Sequence, residues 1–378
     1  MSPKLKYLNV NWENGMKISK EHFIQQDNSF NDALKDIYAG FLNNMNFGLL
    51  PVDSQAENSI KTILVIDNQK TLKVKILKCR AVCQGGARIE ILEEHFMPEF
   101  SVNLIRDIEQ TTKGEGEIYY VLLTVDIFNR QTFGELDTES EPPRYPFSIP
   151  TFKVDVIEEK QLTPFGLNPF SFPIGKLNIK PDKSEIYEEY IPPCMTVNSH
   201  IELIHFKASI DKFYGKLEIN LLSIIKKIKE KNQDSNLAQT VLFLSENLLF
   251  FISGNHLRLH WQIPDSPPIV LFEFIASLAR VVRNAIDANT SSNKEEMLNY
   301  FTNWSELKQG DFEKLLVYCI NFEYRHFDIL HSIEQFSGFI QIIDLLFDKL
   351  ESLTYIGKKK ETNIFVKEEK TKRSFLAE

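Results

Sequence analysis

The spacing of apolar residues changes near residue 195, and that change constrains the fold more than any other feature of this sequence. Before it, Leu72, Val74 and Ile76 are separated by single lysines, and Ile89 and Ile91 by a glutamate. Such alternation is typical of strands with one buried face. After it, apolar residues recur every three or four positions, which is typical of helices that pack through one side. The sequence therefore predicts an α+β multidomain protein, with an N-terminal antiparallel β-sandwich followed by an α-helical bundle.

Prolines mark the boundary between these two parts. They crowd the end of the alternating region and finish in the pair Pro192-Pro193, and proline is disfavoured inside both sheets and helices. We therefore predict a β-sandwich domain with one N-terminal helix over residues 1–192 and a helical bundle over residues 193–353. The remaining residues, 354–378, are too few for an independent domain and are expected to form a short basic tail or a hairpin.

The first forty residues predict a turn followed by one helix. Asn14-Gly15 is a strong turn signal, and Ser19 can cap a helix that begins near Lys20. Along that helix, apolar residues three, four or seven apart form one stripe, which consists of Phe23, Phe30, Leu34, Ile37 and Phe41. Trp12, just before the turn, is either a core anchor or an interface residue. The core interpretation is favoured because Trp12 closes an alternating strand.

Two apolar seams in the helical part have the spacing of helices that pack on other helices. The first includes Leu217, Leu221 and Ile224. The second has a mean spacing of about 3.5 residues, which keeps a seam facing a partner helix, and its members are Ile329, Ile333, Phe336, Ile340 and Ile343. A bundle within one chain and a contact between identical helices of an oligomer both fit this spacing.

Charge and composition exclude several classes of protein. The 378 residues carry a net charge of −9, whereas a nucleic-acid-binding protein needs a basic surface to displace counterions. The N-terminus lacks the pattern of a secretory signal, and no uninterrupted apolar run reaches the roughly 18 residues of a membrane span. The four cysteines are scattered, as in a cytosolic protein with reduced thiols. We therefore expect a cytoplasmic protein that binds no nucleic acid.

No arrangement of residues for catalysis or cofactor binding is apparent in the sequence. His256 and His260 have the spacing of a zinc pair on a helix, but the pair lacks the intervening glutamate of the H-E-x-x-H pattern and a third ligand. Loop or core histidines are the simpler interpretation. Phosphate-binding glycine loops and a serine nucleophile elbow are also absent from the sequence. The sequence therefore predicts a protein that is not an enzyme and has no metal, cofactor or small-molecule substrate.

Five segments of the chain carry distinctive short patterns. The N-terminal segment reads W-x-x-G-M, H-F-x-Q-Q-D and F-G-L, at residues 12–16, 22–27 and 47–49. The others are P-P-R-Y-P at 142–146, F-P-I-G-K-L at 172–177, Y-I-P-P-C-M at 190–195 and F-E-Y-R-H-F-D at 322–328. In this order they resemble the TssK family, the baseplate subunit of type VI secretion systems, which is itself similar to phage receptor-binding proteins. The order of the five makes the set more specific than any single member.

The resemblance implies a structural role without catalysis. TssK-like proteins are homotrimers with a β shoulder, a helical neck and a C-terminal head; here residues 1–192 would form the shoulder and residues 193–353 the neck. It implies an adaptor that links wedge proteins resembling TssF and TssG to a membrane-side complex, and that lies in the cytoplasm at the inner face of the cytoplasmic membrane through its partners. The residues expected to contact the wedge are Trp12, Glu13, Phe23, Gln25, Gln26, Asp27 and Arg144. The resemblance also favours contacts of both apolar seams within a trimer.

The C-terminus departs from the family pattern, because only residues 354–378 follow the last predicted neck helix. We expect a divergent, shortened form without the usual head domain. Lys358, Lys359 and Lys360 are candidates for contact with a membrane-complex protein of unknown identity. An alternative from another class is a phage-tail-like receptor-binding or adaptor protein that recognises a surface ligand.

Overall fold

A computed structural model describes residues 5–52, 58–104, 116–162, 167–180, 184–303 and 309–357. Within these residues the chain forms nine strands in two antiparallel sheets and seven α-helices. The predicted α+β class is therefore confirmed. The basic tail, including Lys358, Lys359 and Lys360, lies outside the described residues, and the interpretation given to it stays a prediction.

The first sheet is built around one long strand. This strand, β3 (Thr71–Val82), pairs with four others, which are β1 (Gly48–Leu49), β2 (Ile60–Ile66), β4 (Arg88–Ile91) and β5 (Glu99–Asn103). Leu72, Val74 and Ile76 are buried, whereas the lysines between them are exposed or half-buried. The alternation in the sequence thus predicts the inner face of β3 correctly.

The second sheet has the strand order β7-β6-β8-β9. Its strands are β6 (Glu117–Phe133), β7 (Phe147–Glu158), β8 (Ser171–Ile179) and β9 (Glu185–Ile186). The two sheets touch where Gly175 lies under Leu64: a Cβ on Gly175 would be 2.5 Å from the Leu64 Cδ1 atom. The packing of the two sheets as a full sandwich stays a prediction.

Helices precede and follow the sheets. Helix α1 spans Lys20–Phe41 and begins after Ser19, as predicted. The later helices are α2 (Ile201–Glu230), α3 (Asn236–Trp261), α4 (Pro268–Asp287), α5 (Ser291–Thr302), α6 (Gln309–Ile320) and α7 (Ile329–Ser352). Short 3-10 turns lie at Glu159–Gln161, Val197–Ser199 and Ile263–Asp265.

The residues of the predicted oligomer seams lie largely inside the chain. Six members are buried, namely Leu217, Leu221, Ile224, Ile329, Phe336 and Ile343. The remaining two, Ile333 and Ile340, are half-buried. Polar contacts also join α2 to α7: the Lys216 ammonium lies 2.9 Å from the Asp344 carboxylate. The spacing of about 3.5 residues here accompanies packing within one molecule, and the assignment of these residues to a contact between copies stays a prediction.

The chain divides into two compact units that are not continuous in sequence. The β unit comprises Met1–Ala208, Arg258–Phe272 and Tyr324–Ile333, and the helical unit comprises Ser209–Leu257, Glu273–Glu323 and Glu334–Glu378. The β unit contains α1 and both sheets, and the helical unit contains most of the helical residues that follow.

Helix α3 is the described helix that has the length and composition of a membrane span, with a mean hydropathy of 1.4 over 18 residues. Of that window, 44% is buried within the protein. The buried side includes Val241, Leu244 and Leu248. A helix in the core of a bundle has the same length and composition, so these two properties alone do not assign α3 to a membrane.

Candidate partner interface on the N-terminal helix

Helix α1 buries its polar side and exposes its apolar side. Its buried residues are Asn28, Ser29, Asp32 and Lys35. The apolar stripe predicted from the sequence is present, but all five of its members are exposed. A surface helix normally turns such a stripe towards the core. This inverted arrangement is the feature of the β unit that most needs a functional explanation.

A buried ion pair holds the polar side of α1 inwards. The Lys35 ammonium contacts the Asp32 carboxylate, and both side chains are shielded from solvent. The Asp32 carboxylate also accepts hydrogen bonds from the backbone N–H groups of Lys6 and Tyr7, the latter at 3.0 Å. Burial by itself would raise the pKa of Asp32, but these hydrogen bonds and the charge of Lys35 outweigh it and hold that pKa below its usual value.

Aromatic rings and the segment before the helix complete this polar anchor. The Lys35 ammonium lies 5.8 Å from the centre of the Phe128 ring, within the range of a cation–π contact. The Ser29 hydroxyl donates a hydrogen bond of 2.7 Å to Asn9 Oδ1, and the backbone N–H of Val10 donates one of 3.2 Å to Gln26 Oε1. The helix and residues 6–10 are therefore fixed together by side-chain contacts.

Gly86, in the turn after β3, allows α1 to approach the first sheet. It has a φ of 83°, and a Cβ at this position would lie 2.6 Å from the backbone oxygen of Lys35. No other residue type combines this left-handed conformation with the missing side chain. The close approach places the buried side of α1 directly over the turn and leaves the opposite side in solvent.

The outward side of α1, which we call the α1 face, consists of the stripe Phe23, Phe30, Leu34, Ile37 and Phe41. These side chains are between 52% and 79% exposed. Their spacing of 7, 4, 3 and 4 residues matches the seam of a coiled coil, with Asp27 at the one position of the pattern that is not apolar. Together they present on the order of 500 Å² of apolar surface, a size that marks interaction sites on monomers.

Several of the predicted wedge-contact residues border the α1 face. Trp12 is 47% exposed, and its ring centre lies 6.2 Å from that of Phe23. Glu13 and Gln25 are exposed. Asp27 accepts a 3.3 Å hydrogen bond from Arg130 of β6, which ties the exposed edge of the helix to the second sheet. The structure thus brings Trp12, Phe23 and Asp27 to one side of α1, whereas the Gln25 amide lies 3.4 Å from the Leu8 carbonyl oxygen, on the side that packs against residues 6–10.

Two details of the N-terminal prediction are corrected. The segment before the turn at Asn14-Gly15 forms no described strand, so Trp12 does not close one and is not a core residue. Arg144 is exposed in the connection between β6 and β7, where its backbone pairs with that of Asp137 at 2.9 and 3.2 Å. Arg144 therefore belongs to this connection and not to α1 or the segment before it.

A groove of about 460 Å³ runs beside the α1 face. Its wall on the helix includes Phe30, Leu34 and Tyr38, and the facing wall includes Arg88 and Pro150. Sequence reasoning missed Tyr38 and Arg88. Tyr38 directly follows Ile37 of the stripe, and this position could have identified it from the sequence. Arg88 is distant in sequence, and only the fold brings it near the helix. A partner bound on the α1 face could fill this groove with a side chain.

Three other sequence patterns converge inside the β unit instead of at the surface. Gly48 lies so close to the segment Pro193-Cys194 that a Cβ would be 2.1 Å from the Pro193 oxygen. The backbone N–H of Leu49 donates a 2.8 Å hydrogen bond to that same oxygen. His326 joins the cluster through its Nε2 atom, 2.7 Å from the carbonyl oxygen of Phe47. These patterns therefore encode a packed junction.

The hydrogen bonds in this junction fix the tautomer of His326. Its Nδ1 atom lies 2.7 Å from the Tyr324 hydroxyl, which can donate to it while Nε2–H donates to Phe47. Burial lowers the pKa of His326 to about 4, although the hydrogen bond to Phe47 acts in the opposite direction. Close by in the β unit, the Lys176 ammonium lies 2.8 Å from the Asp328 carboxylate and joins two further pattern residues. These contacts are structural.

The histidine pair on α3 does not form a loop or core site. His256 and His260 both lie on the helix, the first exposed and the second half-buried. Among the residues that the structure describes, no group of three or more His, Cys, Asp or Glu side chains could hold a metal ion.

Comparisons with known proteins give likenesses at the level of structure. No protein-family model and no curated protein matches the sequence. A chain of the TssK-TssF-TssG baseplate subcomplex of the type VI secretion system is 11% identical, with a TM-score of 0.48 over 91% of this chain and 100% of that one. A crystal structure of TssK is 13% identical, with a TM-score of 0.48 over 91% and 69%. A chain of the type VI baseplate complex is 14% identical, with a TM-score of 0.46 over 90% and 99%. These solved structures belong to the family that the five sequence segments resemble.

Proposed function

We propose that this chain is a non-enzymatic structural subunit of a type VI secretion baseplate, which works as a homotrimer and docks wedge proteins resembling TssF and TssG through the α1 face. The observation that carries the proposal is the outward apolar face of a helix whose polar side is locked inwards. Both its exposure and its spacing suit a surface that is covered in an assembly.

The energetics of α1 support a docking role. Exposing about 500 Å² of apolar surface forgoes on the order of 12 kcal/mol of hydrophobic stabilisation at 25 cal/mol per Å². The buried Asp32–Lys35 pair adds no compensating gain, because the desolvation of two charges roughly cancels their attraction. Folding stability alone therefore does not account for this arrangement, whereas a partner that covers the face recovers the apolar term on binding.

The position of the face supports a wedge protein as the partner. The patterns at residues 12–16 and 22–27, which resemble the N-terminus of TssK, lie on α1 and on the segment leading into it. They lie at the surface of the β unit, as does the pattern at 142–146, whereas those at Gly48, Pro193 and His326 are packed in its junction. In a trimer, three copies of the face act together, so that modest individual affinities multiply through effective concentration.

Replacement of Leu34 by glutamate tests the contact. Leu34 is exposed, so Leu34→Glu should fold normally. In a docked complex it would bury an unpaired carboxylate, and we expect the capture of co-expressed TssF- and TssG-like proteins to fall at least about tenfold, equivalent to 1.4 kcal/mol. Quantitative co-purification with the tagged full-length chain measures this loss.

Leu34→Met is the matched control, because it keeps an apolar side chain of similar size and should retain capture. If Leu34→Glu captured the wedge proteins as well as the wild type does, the α1 face would not be the wedge contact. A changed oligomeric mass of Leu34→Glu, with wedge capture intact, would instead assign the face to a contact between copies.

A further inference from the structure

Strand β2 lies at one edge of the first sheet. Among the strands that the structure describes, β2 pairs with β3 alone. An edge strand presents backbone N–H and C=O groups that can pair with a strand of another chain. The use that β2 makes of its open side therefore depends on which of its backbone groups point outwards and on the side chains beside them.

The ladder between β2 and β3 identifies the backbone groups of β2 that face the open side. In an antiparallel pair of strands, hydrogen-bonded and non-hydrogen-bonded residue pairs alternate. The N–H of Asp67 donates a 3.0 Å hydrogen bond to the Thr71 oxygen at the turn after β2, so every second residue before Asp67 also bonds to β3. The residues between them turn their N–H and C=O groups outwards, and they are Thr62, Leu64 and Ile66.

A contact on the far side of β3 agrees with this assignment. Thr62 lies opposite Ile76 in the register of the two strands. The N–H of Ile76 donates a 3.1 Å hydrogen bond to the oxygen of Pro98, the residue before β5, and therefore points away from β2. Thr62 and Ile76 thus form a non-hydrogen-bonded pair. No described residue accepts a hydrogen bond from the N–H of Thr62, Leu64 or Ile66.

The side chains of β2 add an apolar outer surface to this edge. Ile63 and Val65 are 46% and 49% exposed. Leu64, between them, points to the opposite face of the sheet, where it meets Gly175. Side chains that share a face of neighbouring strands contact each other, so apolar side chains of an added strand would cover Ile63 and Val65.

The long edge strand of the second sheet does not have these properties. Strand β7 is interrupted by Pro150, which has no N–H, and its exposed positions include Lys153 and Asp155. Proline and charged side chains keep an edge strand from pairing with other chains. The stretch of β2 from Thr62 to Ile66 contains neither.

Lysines dominate the charge beside the open edge. Four of them occupy exposed or half-buried positions on β2, β3 and the turn between these strands, namely Lys61, Lys70, Lys73 and Lys75. Lys73 lies 3.5 Å from Asp67, and Lys75 lies 2.7 Å from Glu99. The other two lysines form no ion pair with a described residue. The edge is therefore positively charged in a protein of net charge −9, and it suits a segment that carries carboxylates.

We infer that the open edge of β2 binds an extended segment of a partner protein as an added strand, with apolar side chains over Ile63 and Val65 and acidic side chains beside the lysines. The main-chain hydrogen bonds of such a strand supply affinity, and its alternate side chains supply specificity. A second copy of this chain fits the edge less well, because two identical surfaces of positive charge repel each other. The site uses no residue of the α1 face and does not depend on the proposed function.

Amide hydrogen exchange of the full-length chain tests the inference. The probe is the peptide acetyl-(Val-Glu)4-amide, which alternates apolar and acidic side chains. In the free protein the N–H groups of Thr62, Leu64 and Ile66 should exchange rapidly, whereas β3 should protect those of Ile63 and Val65. At a peptide concentration about ten times its Kd, exchange at the three outward groups should slow by roughly tenfold.

Two variants separate the main-chain and charge contributions. Thr62→Pro removes an outward N–H that makes no bond within the described chain, so it should unfold at the wild-type urea concentration and bind the peptide at least about tenfold more weakly. Thr62→Val keeps this N–H and is the matched control. Lys61→Glu reverses one exposed charge and should weaken binding by about threefold or more. The peptide acetyl-(Val-Lys)4-amide should bind the wild type at least about tenfold more weakly than the glutamate peptide.

Each contrary result has a distinct meaning. Unchanged exchange at the three outward groups with about 1 mM glutamate peptide would overturn the inference, as would equal binding of the two peptides. Slow exchange of these groups in the free protein would mean that another segment of the same chain covers the edge. Self-association that is abolished by Thr62→Pro would assign the edge to a second copy. If Thr62→Pro does not fold, Lys61→Glu and the lysine peptide still decide, since wild-type binding by both would exclude the proposed partner chemistry.

Discussion

Asp32→Ala should destabilise the protein by about 3–5 kcal/mol, because it leaves the Lys35 ammonium buried without its partner. The same change removes the acceptor for the backbone N–H groups of Lys6 and Tyr7. Unfolding by urea at pH 7, followed by circular dichroism, measures the loss. The expected effect is large because both charged side chains are enclosed by the protein.

A double replacement separates the cost of breaking the pair from the value of having it. Asp32→Leu combined with Lys35→Met replaces both charges by apolar groups of similar size and should recover most of the stability lost in Asp32→Ala. A loss below about 1 kcal/mol in Asp32→Ala would show that Lys35 reaches solvent. In that case the anchor described for α1 would be wrong.

The sequence predicts where α1 begins, where its stripe lies and that the chain is α+β, but it does not predict which side of α1 faces the core. Periodicity locates a stripe, and a stripe normally packs inwards. Here the decision rests on contacts between distant residues: Asp32 with the backbone of Lys6 and Tyr7, and Lys35 with Phe128. Only the fold brings these groups together, so a single sequence carries no local signal for them.

The seam of α7 illustrates the same limit of apolar spacing: it does not say what a helix side packs against. Its spacing of about 3.5 residues is expected whether a helix packs on its own chain or on another. The structure buries Phe336 and Ile343 within the chain. Phe250 and Leu257 of α3 are seven residues apart, like members of a seam, yet both are exposed. The burial of the side chains, and not their spacing, distinguishes a helix side that packs within the chain from one that is open to solvent.

The short sequence patterns can be located in the sequence alone, but the contacts that their residues make cannot be predicted from it. Gly48, Pro193 and His326 are separated by up to 278 residues in sequence, yet they meet in one junction of the β unit. Their chemistry explains why such residue types occur there: a glycine that permits backbone contact, and a histidine that donates to a buried carbonyl. Patterns of this kind encode the fold, whereas the patterns on α1 and at residues 142–146 lie at the surface, where a partner can reach them.

Acidification should unfold the β unit cooperatively as the pH falls from about 6.5 to about 4. Burial lowers the pKa of both His200 and His326 from 6.5 to about 4. Within that window the unfolded chain binds protons that the folded chain excludes, so stability decreases as the pH falls. Each histidine contributes about 3 kcal/mol at 1.36 kcal/mol per pKa unit, or roughly 6 kcal/mol for the pair.

Replacement of the two histidines tests this dependence directly. His326→Gln and His200→Gln should each flatten the slope of unfolding free energy against pH by about half between pH 6.5 and 4, and the double variant should remove most of it. Urea titrations at five pH values across the window measure the slopes, and the values at pH 7 report any loss of packing separately. A slope that is unchanged in His326→Gln would mean that this imidazole is protonated without opening the junction, and the neutral Nε2–H form that links Phe47 to Tyr324 would have to be abandoned.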